Sequence, residues 1–139
     1  MEDFLKLEHQ ACFPVYALSR KITSIYRPYL DELGITYPQY LVLLILWEER
    51  EQTVNQLGEK LHLDSGTLTP LLKRLAAKNL VTRDRSKVDE RVVLISLTSL
   101  GAKLKVDAEC IPGKLMDAMG LTVEELNLLK DTVNKILSK

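Results

Sequence analysis

The run of residues 63–98, LDSGTLTPLLKRLAAKNLVTRDRSKVDERVVLISLT, constrains this chain more than any other. It opens on short polar side chains, continues as an amphipathic helix and ends in two β-like runs around an arginine-dense tip. A helix that enters the major groove of DNA leads with short polar residues. A basic hairpin beside it can reach phosphates or the minor groove. This order predicts a winged helix-turn-helix, and with it double-stranded DNA as a partner.

A formal net charge of zero stands against DNA binding until the charges are placed along the chain. Seven basic residues (Lys73, Arg74, Lys78, Arg83, Arg85, Lys87, Arg91) and three acidic ones (Asp84, Asp89, Glu90) lie between 73 and 91. Six acidic residues and two basic ones lie between 107 and 131. A neutral total therefore holds a basic face and an acidic far end. With 139 residues, 46% of them hydrophobic, the chain can build one cored domain with a helical oligomerisation extension. MEDFLKLEHQ lacks the basic start and apolar stretch of a signal peptide, and no apolar run is long enough for a membrane span. Cys12 and Cys110 are far apart and form no CxxC pair, which fits a reducing, cytoplasmic location.

The flanking sequence reads as helix. Cys12, Tyr16, Ser19, Thr23, Tyr26 and Leu30 recur at steps of three and four, so a long first helix is expected over about 4–33, stopped by Gly34. Pro14 either kinks that helix or starts it anew, because it lacks the N–H that would bond Gln10. A second helix from Pro38 to about Glu51 is apolar on most sides and belongs in the core. Thr53 caps a short third helix and Asp64 or Ser65 a fourth, through about Lys78. Strands follow over 80–85 and 91–97. Thr98 or Ser99 caps a fifth helix, Ile111-Pro112-Gly113 breaks it, and Thr122-Val123-Glu124-Glu125 caps the last. The fold class is mainly α with a small β-hairpin wing.

In the fourth helix Leu68, Leu71, Leu72 and Leu75 form the packing stripe. Ser65, Thr67 and Thr69 lie at its start, where base or phosphate contacts belong, and Lys73 and Arg74 follow where phosphate contacts are natural. Arg83, Arg85, Lys87 and Arg91 are the hairpin candidates, with Asp89 spaced to hold the Arg91 guanidinium. Each charge alone is as well explained as a solvated surface residue; the set is not. The pattern DxRxxxxxLT (Asp89, Arg91, Leu97, Thr98), after a helix ending LLKRL, resembles the wing of the MarR family of homodimeric winged-helix regulators. The resemblance covers nearly the whole chain. It implies a winged-helix part over 36–98 and helical dimerisation parts over 1–35 and 99–139, within one MarR-like domain over 1–139. It also implies a minor-groove role for Arg91 with Asp89 as its partner, and a pseudo-palindromic operator.

Cys12 is the remaining chemical feature. A phenol that donates a hydrogen bond to a thiolate favours the charged form, and a helix N-terminus does the same. Tyr16 is one turn on; Tyr26 and Tyr37 cannot reach Cys12 along one straight helix, but a partner's tyrosines can. The motifs CFxxY, ITYPQYLVLLILWE and LDSGTLTPLLKRL, in that order and spacing, resemble the organic hydroperoxide resistance regulator (OhrR) branch of the MarR family. The resemblance implies a redox-sensing Cys12, hydrogen-bonded by Tyr16, Tyr26 and Tyr37, the latter two from the other subunit. An organic hydroperoxide would oxidise Cys12 to a sulfenic acid, which condenses with a thiol, and the repressor would leave its operator. In two-cysteine members the resolving cysteine falls a little after an Ile-Pro-Gly-like break, whereas Cys110 precedes it. Resolution by Cys110, resolution by a low-molecular-weight thiol, and an inert Cys110 all stay open.

A buried structural thiol is the commoner fate of a lone cysteine; here the three tyrosines and flanking motifs weigh against it. Two other functions compete: a MarR-type regulator that binds a small aromatic ligand without thiol chemistry, and a thiol peroxidase. The second would leave the DNA-binding half unexplained, so the chain is read as a non-enzyme. His9, Cys12, His62 and Cys110 have no tight ligand spacing, so neither metal nor cofactor is expected.

Overall fold

The computed structural model describes residues 3–139. After a 3-10 turn at Leu7–His9, the elements are α1 (Cys12–Leu33), α2 (Tyr37–Glu49), β1 (Glu51–Thr53), α3 (Val54–Leu61), α4 (Ser65–Ala77), β2 (Val81–Arg85), β3 (Val93–Leu97), α5 (Ser99–Ala108), α6 (Ile111–Met119) and α7 (Val123–Leu137). They form two compact units, 1–109 and 110–139. No helix among the described residues is long and apolar enough to cross a membrane.

The first helix begins at Cys12, not near residue 4 as its periodicity suggests. Pro14 decides this. It falls at the third helical position, where a missing N–H costs nothing because the first turn has no helical carbonyl behind it to bond. Upstream, Gln10 Nε2 turns back to the Lys6 carbonyl at 2.9 Å, closing the preceding segment on itself. Pro28 lies inside α1, and the helix runs through it to Gly34, which takes the left-handed conformation at φ 71°.

Capping chemistry sets most other boundaries. Thr36 and Gln39 make a reciprocal capping box for α2, Thr53 and Gln56 for α3, and Thr122 and Glu125 for α7. The core of the first unit lies around α2, where Val42, Leu43 and Leu46 are fully buried. α4 contributes Leu68, Leu71, Leu72 and Leu75, α3 contributes Leu57, and the sheet contributes Val81 and Ile95. In the second unit Ile111 and Leu115 of α6 are buried, whereas α7 buries no residue. The Ile-Pro-Gly break is the start of α6, with Pro112 near its first position.

The sheet is antiparallel in the order β1-β3-β2. β1 is absent from the sequence expectation, which carries the second helix to Glu51. Three residues without apolar alternation leave no local signal; pairing with β3 (Glu51↔Ser96, Gln52↔Ile95, Thr53↔Leu94) makes the strand.

One close approach locks α5 to this core. A Cβ at Gly101 would lie 2.2 Å from the Leu80 carbonyl oxygen and 2.8 Å from a Leu97 methyl. The Gly101 carbonyl also accepts from Trp47 Nε1 at 2.9 Å. Gly101→Ala must push α5 off the sheet and strain that bond. The expected cost is about 1–3 kcal/mol of stability, read by urea unfolding followed by Trp47 fluorescence. An unchanged midpoint would show that α5 is not held this way.

Candidate nucleic-acid interface and sensing residues

The Leu68–Leu75 stripe turns one face of α4 inward and leaves its start outside. Asp64 caps that start, its Oδ1 accepting from the Thr67 N–H at 2.7 Å. This bond, together with the Thr67 side chain, holds the Asp64 carboxyl below its ordinary value. Ser65 and Thr67 are exposed, Thr69 is half-buried, and Lys73 and Arg74 are exposed further along. The helix start is therefore pinned while its hydroxyls face outward.

The wing is similarly braced. Asp89 grips Arg91 three times: Oδ1 accepts from the backbone N–H at 3.0 Å and from Nε at 3.2 Å, and Oδ2 accepts from Nη2 at 3.2 Å. The guanidinium first, then the backbone N–H, hold the Asp89 carboxyl below its ordinary value. The Arg91 side chain stays 91% exposed, so it is oriented without being covered. Arg85 Nη1 donates to the Glu90 carbonyl at 2.9 Å, and Ser86 Oγ accepts from the Val88 N–H at 3.2 Å. Arg85 therefore also stiffens the tip, while Lys87 is exposed.

Arg83 is set apart from the other basic residues. Its strand position places it on the same face as Val81 and Arg85. Its Nε is buried and has no hydrogen-bond partner. A cleft of about 190 Å³ joins it to Arg91, to Ser65 and Thr69 of α4, and to Thr53 and Asn55 at the start of α3. Helix start and wing thus meet in one basic, hydroxyl-lined groove. Thr53 and Asn55 are absent from the interface expected from sequence. Sequence marks Thr53 as a cap, and only β1 pairing brings that cap beside the wing.

The second set of residues is split. Cys12 is the first residue of α1 and is exposed, as are Phe13, Val15 and Tyr16. The Arg20 guanidinium lies 5.7 Å from the centre of the Tyr16 ring. Tyr26 lies fourteen residues beyond Cys12, roughly 21 Å along the helix axis at 1.5 Å per residue. There it meets Tyr37, with ring centres 4.7 Å apart. Tyr40 completes the cluster at 5.5 Å from Tyr26 and 6.2 Å from Tyr37, and it touches Trp47 at 6.3 Å. Tyr40 escapes the sequence reading, although its spacing of three from Tyr37 places both on one face of α2. Cys110 is exposed next to the start of α6.

Burial raises the Tyr26 phenol from 10.0 to about 12, with the nearby Tyr37 and Tyr40 phenols adding to the effect. Burial likewise raises Tyr37 and Tyr40. These phenols therefore remain protonated, and remain hydrogen-bond donors, above the usual tyrosine range. A raised folded-state value means the neutral phenol stabilises the fold at pH below 10.0, and this contribution is lost as pH rises through about 12. Tyr26→Phe should flatten the stability loss over that window, measured by denaturant midpoints. Ultraviolet difference titration should show one fewer late-ionising phenol.

The Transcriptional regulator SarA/Rot family matches residues 24–108. The organic hydroperoxide resistance transcriptional regulator of Bacillus subtilis (strain 168) is 53% identical over 135 residues, which is 97% of this chain and 92% of that protein. Among solved structures, reduced AbfR bound to DNA superposes with a TM-score of 0.78 at 39% identity, covering 95% of this chain and 92% of that one. The disulfide form of AbfR gives 0.68 at 39%, covering 94% and 92%; AbfR has also been solved as the protein of Staphylococcus epidermidis. A cysteine-to-serine mutant of E. coli MarR complexed with operator DNA gives a TM-score of 0.84 at 27% identity, covering 98% of this chain and 99% of that one. With its braced wing, its polar-led helix and these likenesses over nearly its whole length, the chain belongs to the MarR-type winged-helix transcriptional regulators matched by the SarA/Rot family, in the branch of the organic hydroperoxide resistance regulators.

Proposed function

We propose that this regulator is a homodimeric repressor that holds a pseudo-palindromic operator and releases it when an organic hydroperoxide oxidises Cys12. The observation that carries the proposal is the separation within α1. Cys12 opens α1, whereas Tyr26 lies fourteen residues further along it against Tyr37 of α2, so these phenols can serve a thiolate only on a second copy. The exposed apolar residues of the terminal helices, among them Phe13, Val15, Val123 and Leu128, support such pairing. The parts 1–35 and 99–139 would then build the dimer, and 36–98 the DNA-reading part.

Two α4 helices held one helical turn of DNA apart would place Ser65, Thr67 and Thr69 in successive major grooves, with Lys73 and Arg74 on phosphates. Arg91, steadied by Asp89, would enter the minor groove. Arg83, Arg85 and Lys87 would contact the backbone. Reduced AbfR bound to DNA supports this arrangement as a fold-level precedent.

The redox step is a displacement. The Cys12 thiolate attacks the outer peroxide oxygen and the O–O bond breaks. The departing alkoxide leaves as an alcohol after taking a proton, and Cys12 becomes a sulfenic acid. A second thiol then attacks the sulfenic sulfur, forming a disulfide and releasing water. A low-molecular-weight thiol or Cys110 of the other copy would supply it. That AbfR also exists in a disulfide form supports a thiol-based cycle in this branch. Loss of the phenol–thiolate hydrogen bonds would shift the dimer and spoil the half-site spacing.

A second reading rests on a cleft of about 270 Å³ lined by Thr23, Arg27, Leu30, Thr36 and Tyr37, which would admit a small aromatic ligand. It predicts release from DNA under reducing conditions. The two readings separate on Cys12→Ser, which should bind operator as the parent does and ignore an organic hydroperoxide, as read by fluorescence anisotropy. Release of that variant by peroxide would sink the thiol mechanism. In the same assay Arg91→Ala should lose about 1–3 kcal/mol of operator affinity, with Asp89→Asn losing less. Turnover of excess peroxide with excess thiol would instead indicate a peroxidase.

A further inference from the structure

We infer that Lys78 and Gln39 form the link that passes the state of the tyrosine cluster to the DNA-reading helix. The inference rests on the thiol-sensing reading above and adds the positioning residues that reading lacks. Gln39 is a polar side chain buried in the core at 1% exposure. Its Oε1 accepts from the Thr36 N–H at 3.0 Å, closing the α2 capping box, and from Lys78 Nζ at 3.2 Å. The same ammonium donates to the Gly34 carbonyl.

Gly34 is the C-cap of α1, Thr36 the N-cap of α2, and Lys78 the C-cap of α4. One ammonium therefore joins the ends of three helices, and it lies where the negative end of the α1 dipole favours a cation. Tyr37 is the first residue of α2, between the cap and Gln39. A shift of Tyr37 that carries its backbone is passed to this cap, and the cap is tied to the far end of the helix that starts with Ser65 and Thr67. Beyond Lys78 the chain is fixed on its other side, because Thr98 Oγ1 donates to the Asn79 carbonyl at 2.7 Å. A pull on Lys78 is thus taken up by α4 rather than by the connection to the wing. Lys78 lies outside the proposed DNA contacts.

The test compares the parent, Lys78→Met and Gln39→Glu on an operator duplex selected with the reduced protein. Dissociation constants are measured before and after one equivalent of tert-butyl hydroperoxide, and mass spectrometry follows Cys12 in parallel. Lys78→Met should oxidise at the parental rate and bind operator as the parent does when reduced. Its oxidation-induced loss of affinity should be smaller by about fivefold or more, within the usual range of coupling between sites. Gln39→Glu, whose carboxylate still accepts both bonds, should keep the full loss. Equal release by Lys78→Met and parent would overturn the link alone. So would equal weakening of reduced and oxidised Lys78→Met, which marks a merely structural residue, or loss of coupling in Gln39→Glu. If the parent itself keeps its operator with Cys12 oxidised, the sensing reading falls and the link with it.

Discussion

The continuity of α1 from Cys12 past Tyr26 governs the proposed geometry. A continuous helix fixes Cys12 and Tyr26 at a separation no side chain spans. On the proposed reading the chain would carry the thiol at the start of α1 and its phenol donors well along the same helix. Because Pro14 lies in the first turn, the thiol is presented outward at the helix N-terminus. On the proposed reading a composite site between two copies would follow from that placement, and with it a reason for sensing and DNA spacing to share one dimer.

The aromatic cluster between α1 and α2 has its own logic. Tyr26, Tyr37 and Tyr40 lie within 6.2 Å of one another by ring centres. Tyr40 packs on Trp47, whose indole is bonded to Gly101 of α5. Burial and crowding make ionisation of these phenols unfavourable, which keeps them as donors. Through buried Tyr40, the residues that would receive a peroxide signal are joined to the core that positions α4.

Much of this is legible in the sequence because it is written in local chemistry. Thr53, Asp64, Thr98 and Thr122 announce helix starts through capping, and the Leu68–Leu75 stripe announces the buried face of α4. The pairing of Asp89 with Arg91 follows from two residues of spacing. What escapes depends on distant partners. β1 exists through β3, and Tyr40 joins Tyr26 only after α1 and α2 have packed. Gln39 meets Lys78 across 39 residues. The first helix reads too long because its apolar period continues upstream of Pro14, where the backbone does not follow. The sequence spacing of Cys12 and Tyr26 is set by one helix, but the meaning of that spacing appears only when a second copy is considered.

The most direct test mixes two crippled subunits. Cys12→Ser lacks the thiol; the Tyr26→Phe/Tyr37→Phe double variant has the thiol without the two donors that a partner would supply. In a mixed dimer, one site regains both a cysteine and the partner's two phenols. Stopped-flow measurement of sulfenic acid formation should show the double variant reacting slowly by itself. After subunit exchange at equal concentrations, random pairing in a two-fold dimer should make about half of its cysteines react at the parental rate. A mixture as slow as the double variant alone would contradict a site shared between copies.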